Sequence, residues 1–252
     1  SQGGPSSADE RRGPSAASRK NETATASEGW PLWLSVPFVI GLSLPGLLLL
    51  SAKMASLLSF FMNDDAFYYI QTARIFAHSG FSSFDGIHHT NGYQPLWFLV
   101  CVPVFWLFPQ GGETPIRVLV ALQVLASAGG LMVLTNALRR IWGSGLALLV
   151  AAGVFAVVYR LVTNGLESGL LVLAYSLVVA DYLAIMKRSV DSVTPLQWAR
   201  LGTLLGLLFL TRTDQFFVLV TVPTALVIRA LKYKTGRPQF LTAMFSSGVQ
   251  LV

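Results

Sequence analysis

Asp64 and Asp65 stand side by side at the head of Ala66-Phe67-Tyr68-Tyr69-Ile70, close to long apolar runs. Two adjacent carboxylates near lipid are costly unless a cation, a substrate or a polar partner offsets them. Placed at the edge of a membrane they suit acid–base work. Glu167 follows Asn164-Gly165-Leu166 and opens another apolar run, and Arg212-Thr213-Asp214 interrupts a further one. Arginines beside carboxylates suit recognition of an anionic group such as a phosphate. The catalytic candidates are thus Asp64, Asp65 and Glu167. The candidate substrate contacts are Tyr68, Arg74, His89, Asn91, Tyr93, Arg160, Asn164, Arg212 and Asp214. The plainer role for each acid is to cap a helix and complement its dipole. His88 and His89 are neighbours in a polar loop, so no metal ligands are assigned, and a divalent metal stays open as the cofactor. Asp181 lies alone in an apolar run at its other end and is set aside.

The elements that position these residues belong to a membrane protein. The chain is 53% hydrophobic and 12% charged, whereas soluble domains carry roughly a quarter charged residues. One cysteine, Cys101, excludes a disulfide framework and a thiolate metal cluster. The basic residues are dispersed over loops, which argues against nucleic acid as a partner. Residues 1–29 are polar, with no apolar period, and read as a disordered cytoplasmic tail. The sequon Asn21-Glu22-Thr23 in it reads as chance. The chain has no initial Met and stops inside the apolar stretch Phe240 to Val252, which reads as a cut at one end or both.

Apolar runs at 31–52, 115–138, 145–159, 168–186, 196–210 and 216–231 are candidate spans, with another beginning at Gln239. Crossing the hydrocarbon takes about 20 such residues. Trp30 and Trp33 suit an interfacial belt at the first span. The run at 95–108 decides the topology. If it crosses, most of the 18 Lys and Arg fall outside, against the positive-inside rule. If it lies along the surface, Arg139, Arg140, Lys187, Arg188, Arg200, Arg229, Lys232, Lys234 and Arg237 join the basic tail on the inside. It is short, begins at Pro95, carries Pro103 and stops at Pro109. The expected organisation is a tail at 1–29 and a transmembrane domain at 30–252, with an outer loop at 54–94 and a juxtamembrane helix at 95–108. Within the loop, Asn63 or Asp64 as N-cap, apolar residues at helical spacing and Gly80 as terminator predict an amphipathic helix. The fold class is all-α, a polytopic transmembrane helix bundle.

Asp64-Asp65-Ala66-Phe67-Tyr68-Tyr69, Gly80-Phe81, Phe84-Asp85-Gly86 and Thr90-Asn91-Gly92-Tyr93-Gln94-Pro95-Leu96-Trp97 together resemble the first outer loop of bacterial GT-C-type membrane glycosyltransferases. That wider group includes protein O-mannosyltransferases and the aminoarabinose transferases that act on lipid A. Asn164-Gly165-Leu166-Glu167 is similar to a second motif of the bacterial members, and Arg212-Thr213-Asp214 to a third. The resemblance covers roughly residues 31–231, the N-terminal part of such enzymes. It implies a GT-C-like fold with juxtamembrane helices in the first outer loop. It also implies inverting transfer of a sugar from a polyprenyl-phosphate-linked donor to an acceptor on the outer, periplasmic or lumenal, face of a multi-pass protein of the bacterial inner membrane. Asp64 then aligns with the acid that serves as base. One departure is Gln94, where those enzymes usually carry His.

Two rivals compete with this reading. A transporter or flippase subunit would gather its polar residues near the bilayer midplane, not at one face. A catalytically inactive assembly subunit would explain Gln94 but not the retention of Asp64, Asp65 and Glu167.

Overall fold

The computed structural model describes residues 35–60, 62–162, 164–189 and 192–233. The tail at 1–29, Trp30, Trp33 and the run from Gln239 lie outside them. The described residues form helices joined by turns, with no named strand and one isolated bridge between Ser83 and His89. In chain order these are α1 (Ser35–Leu48), α2 (Met54–Phe60), α3 (Asp64–Ser79), α4 (Pro95–Leu107), α5 (Glu113–Trp142), α6 (Ser144–Val162), α7 (Ser168–Met186), α8 (Pro195–Thr211) and α9 (Phe216–Tyr233). A 3-10 turn, Thr213–Gln215, joins α8 to α9.

Among the described residues, three segments are long and apolar enough to cross a membrane: Glu113–Trp142, Ser168–Met186 and Thr213–Lys232. The other runs read as spans are also helical: among the described residues α1 covers 14 residues from Ser35, α6 has 19 and α8 has 17. Large apolar side chains such as Leu149 (68%) and Phe217 (75%) are exposed on outward faces, as a lipid-facing surface requires.

The helix anticipated between Asn63 and Gly80 runs Asp64–Ser79 and ends at Gly80 in the left-handed conformation, φ 70°. Helix α4 has 13 residues, with Pro95 in its first turn and Pro103 inside. It lies beside α3, around a core of Tyr69, Ala73, Trp97, Phe98, Cys101 and Phe105. Burying Trp97 or Phe105 there is worth about 1.5–3 kcal/mol each, enough to hold α4 to α3. Polar contacts tie both its ends to the same helix. The Gln94 amide donates to the Tyr69 hydroxyl (3.0 Å), and Trp106 Nε1 donates to the Ala77 carbonyl (2.8 Å). His78 Nε2 also lies 3.0 Å from the Pro109 carbonyl.

Helices α5 and α7 run parallel and close. A Cβ on Gly130 would meet the Leu173 backbone at 2.9 Å, the small-residue contact that lets membrane helices approach. Gln123 of α5 caps α7: its Oε1 accepts from the amides of Gly169 (2.5 Å) and Leu170 (3.2 Å). Helix α8 returns antiparallel to α7 and starts with a capping box, Thr194 with Gln197 and Pro195 in the first turn. One core joins α7, α8 and α9 through Val178, Ile185, Trp198, Leu201, Leu205 and Leu226. Arg117 bonds the carbonyls of Leu50 and Ala52 after α1. This alternation brings the starts of α3, α4 and α7 and the α8–α9 turn to one end of the bundle. Arg140, Lys187, Arg188 and Arg229 gather at the other.

Candidate functional site

The site is built where α3 crosses the turn before α7. Gly165 has φ +80° and packs beneath α3; a Cβ there would sit 2.8 Å from Ala66 Cβ and from Met62 Cε. A residue without a side chain is needed on both counts. Asn164 shapes the turn, its Oδ1 accepting from the Leu166 amide (3.0 Å) and its carbonyl from the Asn63 amide (3.0 Å). Trp97 Nε1 donates to the Gly165 carbonyl (3.2 Å), so α4 clamps the same turn.

Above it opens a cavity of about 600 Å³. Asp64, Asp65, Tyr68 and Phe67 line it from α3, Phe84, Gly92 and Gln94 from the following loop, and Tyr69, Leu166, Glu167 and Arg212 from beneath. Asp64 and Asp65 are exposed in the first turn of α3, and among the described residues neither carboxylate has a hydrogen bond or ion pair. Asn63, the residue at the N-cap position, makes no side-chain cap bond. The two acids therefore complement the helix dipole without being engaged in a cap.

Glu167 has the opposite environment. It is 2% exposed. Its Oε1 accepts from Arg212 Nη1 at 3.1 Å, and its Oε2 is buried with no partner among the described residues. Burial pushes its carboxyl above the ordinary range, and Arg212 pulls it down only in part. Arg212 also grips Asp214 through Nη2 (2.9 Å) and Nε (3.2 and 3.3 Å). Gln215 Nε2 donates to Asp214 Oδ1 at 2.7 Å. Three of the five guanidinium donors are thus committed to carboxylates, which leaves two for a bound anion.

Three residues overlooked as site candidates join these parts. The Gln94 side chain accepts from the Thr213 amide at 3.1 Å, fixing the Arg212-Thr213-Asp214 turn to the first loop. An amide thus occupies the position of the departure, and it serves as a clamp. Tyr69 lines the cavity, and burial pushes its phenol up to about 12. Gln215 carries Asp214 and accepts from Tyr175. A polar group between aromatic or apolar neighbours is the sequence signal at Tyr69 and Gln94, whereas Gln215 is marked only by following Asp214.

Of the remaining candidates Tyr68 lines the cavity, and the other described side chains lie around it. Tyr68 hydrogen-bonds Thr90 and stacks on Phe84 at 5.2 Å. Tyr93 stacks on Phe98 at 4.1 Å and bonds Ser82 (2.8 Å), supporting the loop from below. His89 sits edge-on to Phe81 at 5.6 Å, and Asn91 is exposed with its carbonyl bonded to the Tyr93 amide. Arg74 faces Gly111 in the turn after α4. The side chain of Arg160 lies outside the described residues. Asp85 organises its own loop, accepting from the amides of Ile87 and His88 (2.8 Å each) and from the Ser83 hydroxyl (3.0 Å), with His88 Nδ1 at 2.7 Å. Those bonds hold its carboxyl well below the usual range. Among the described residues no three His, Cys, Asp or Glu side chains converge on one metal position.

Comparison of the chain with protein-family models, curated proteins and solved structures finds no match.

Proposed function

We propose that this chain is the N-terminal, membrane-embedded part of a GT-C-type glycosyltransferase. In this reading α1 and α5–α9 span the bilayer and α3 and α4 lie along its outer face. The enzyme moves a sugar from a polyprenyl-phosphate-linked donor to an acceptor, with inversion. The observation that carries the reading is the pairing, across one open cavity, of unengaged carboxylates at Asp64 and Asp65 with a buried Glu167–Arg212 pair.

Each part has a chemical use. Inverting transfer needs a base for the acceptor's proton while the phosphate leaves. Asp64 has no competing partner and faces the cavity, so it is assigned as the base, a role worth typically 10²–10⁴-fold. Asp65 assists it. Arg212 has two free donors for the carrier phosphate. Glu167 positions Arg212, and its buried free oxygen awaits a donor group from the substrate. The acidic surroundings of Arg212 mean that phosphate binding draws on a further cation, for which Arg160 or a divalent metal is a source. Exposed Phe216 and Phe217 follow the site directly and offer the lipid tail an apolar path.

The test is Asp64→Asn in the full-length protein, assayed for sugar release from a polyprenyl-phosphate donor. Turnover should fall roughly 10²-fold with unchanged thermal stability. Unchanged turnover together with lost stability would make Asp64 a structural residue and remove the proposed base.

A further inference from the structure

At the far end of the bundle, α5 and α7 enclose a second, smaller cavity of about 140 Å³. Val133, Ala137 and Arg140 line it from α5, and Ala180, Ala184 and Lys187 from α7. The matching spacing on two parallel helices makes a lengthwise cleft that runs roughly 10 Å along both. Alanines set its width, its walls are apolar apart from Asn136, whose Oδ1 already accepts from Arg139 Nε (2.9 Å), and its mouth is cationic.

The cations at the mouth exceed what the helix ends require. Basic residues commonly complement the carbonyls of a helix C-terminus. Here Lys187 Nζ already donates to the Arg140 carbonyl (2.9 Å), and Arg229 donates to the carbonyls of Ile185 (3.1 Å) and Arg188 (2.5 Å). The Arg140 guanidinium is left with no hydrogen bond or ion pair among the described residues. The acid that α7 carries, Asp181, is held bidentately by Arg200 at 2.6 Å for both bonds and does not neutralise the mouth.

We infer that this cleft binds an anionic glycerophospholipid of the surrounding leaflet. The head-group phosphate lies between Arg140 and Lys187, and an acyl chain lies along Val133, Ala137, Ala180 and Ala184. A basic pocket between membrane helices favours an anionic head over a zwitterionic one. Arginine supplies a planar fork for two phosphate oxygens, and lysine supplies a point charge. The site is distinct from the acidic cavity, because it lies at the opposite end of α7, about 28 Å away by helix rise.

The experiment measures phosphatidylglycerol retained by the purified protein in detergent, using native mass spectrometry and titration, with melting temperatures taken on the same samples. Wild type should retain phosphatidylglycerol over phosphatidylcholine. Arg140→Gln and Lys187→Gln should each weaken retention about five-fold, whereas Lys53→Gln, at the other end, should not. Ala184→Phe fills the cleft with both charges intact and should also abolish retention. Millimolar inorganic phosphate should fail to displace the lipid. Equal retention of phosphatidylcholine, displacement by inorganic phosphate, or unchanged retention in Arg140→Gln and Ala184→Phe would each overturn the assignment.

Discussion

Two helix starts face one cavity and treat their acids in opposite ways. At the start of α3, Asp64 and Asp65 are exposed and unengaged. Before α7, Glu167 is buried, bound to Arg212 on one oxygen and unpartnered on the other. Each acid complements a helix dipole, so dipole and position alone do not distinguish them. Burial does. A solvated carboxylate remains free to take a proton, whereas a buried one holds a cation in place and resists ionisation. On the proposed reading, one side of the cavity serves proton transfer and the other positioning.

The largest stability effect should come from separating the two sides. Gly165→Ala puts a methyl 2.8 Å from Ala66 Cβ and Met62 Cε at a backbone φ of +80°. It should cost about 2–3 kcal/mol, read as a lower melting temperature in detergent. Turnover should fall as well, because α3 would be lifted from the Glu167 turn. A variant as stable as wild type would mean that the two helix starts are not held together by this contact.

Glu167→Gln sharpens the contrast through pH. A carboxyl whose folded pKa is raised holds its proton more tightly when folded. Its contribution to stability is complete below its unfolded value, about 4.5, and is lost as pH rises through the folded value. Above pH 4.5, wild type should therefore lose stability from this group, and Glu167→Gln should not. The difference in melting temperature should move in favour of the variant as pH rises. Parallel profiles would show that Arg212 keeps Glu167 fully charged, and the contrast between the two helix starts would vanish. A smaller effect is expected at Tyr69→Phe, which removes the acceptor for the Gln94 amide and should cost about 1 kcal/mol. The phenol is pushed up to about 12, so this variant should leave the pH profile of turnover unchanged below pH 9. A moved profile would make the phenol, rather than Asp64, the proton acceptor.

Much of this arrangement was legible in the sequence because it rests on local signals. Asn63 and Gly80 bracket α3 within a residue, since an extended N-cap and a left-handed terminator are properties of single positions. Proline at both ends and in the middle marked α4 as short. The gathering of Asp64, Asp65, Glu167 and Arg212 followed from placing alternate loops at one end of a bundle. What stayed hidden depends on burial and on distant partners. Nothing local separates Glu167 from Asp64 in solvation, because that difference is made by Trp97, Ala66 and Met62 packing around the Gly165 turn. Tyr93 and Asn91 belong to the same outer loop as Tyr68 in the resemblance, yet Tyr93 packs on Phe98 and bonds Ser82, and Asn91 is exposed. Gln94 reads as a lost histidine, and only its bond to Thr213 shows what the amide does. The apolar run at 196–210 marks α8 but not its ends, because the Thr194 cap and Pro195 set its start and extend the helix to Pro195–Thr211.

The smallest effect should be at Asp85, the loop acid that lies off the cavity. Its carboxylate accepts from two amides and the Ser83 hydroxyl and faces His88, all within residues 83–88. These bonds hold its pKa below the ordinary 3.8. The sign is therefore opposite to that of Glu167: its contribution is present above pH 3.8 and fades as pH falls through the folded value. Asp85 is exposed, so solvent screens the charge and little global stability rides on it. Asp85→Asn should leave the melting temperature close to that of wild type and turnover nearly unchanged. Hydrogen exchange should quicken at the Ile87 and His88 amides alone, because the neutral oxygen is a weaker acceptor. The loop still keeps the Ser82–Thr90 bond that closes it and the Tyr68–Thr90 bond that anchors it to α3. A loss of turnover as large as that expected at Asp64 would show that the 81–93 loop shapes the cavity as strongly as α3. The site would then have three working sides instead of two.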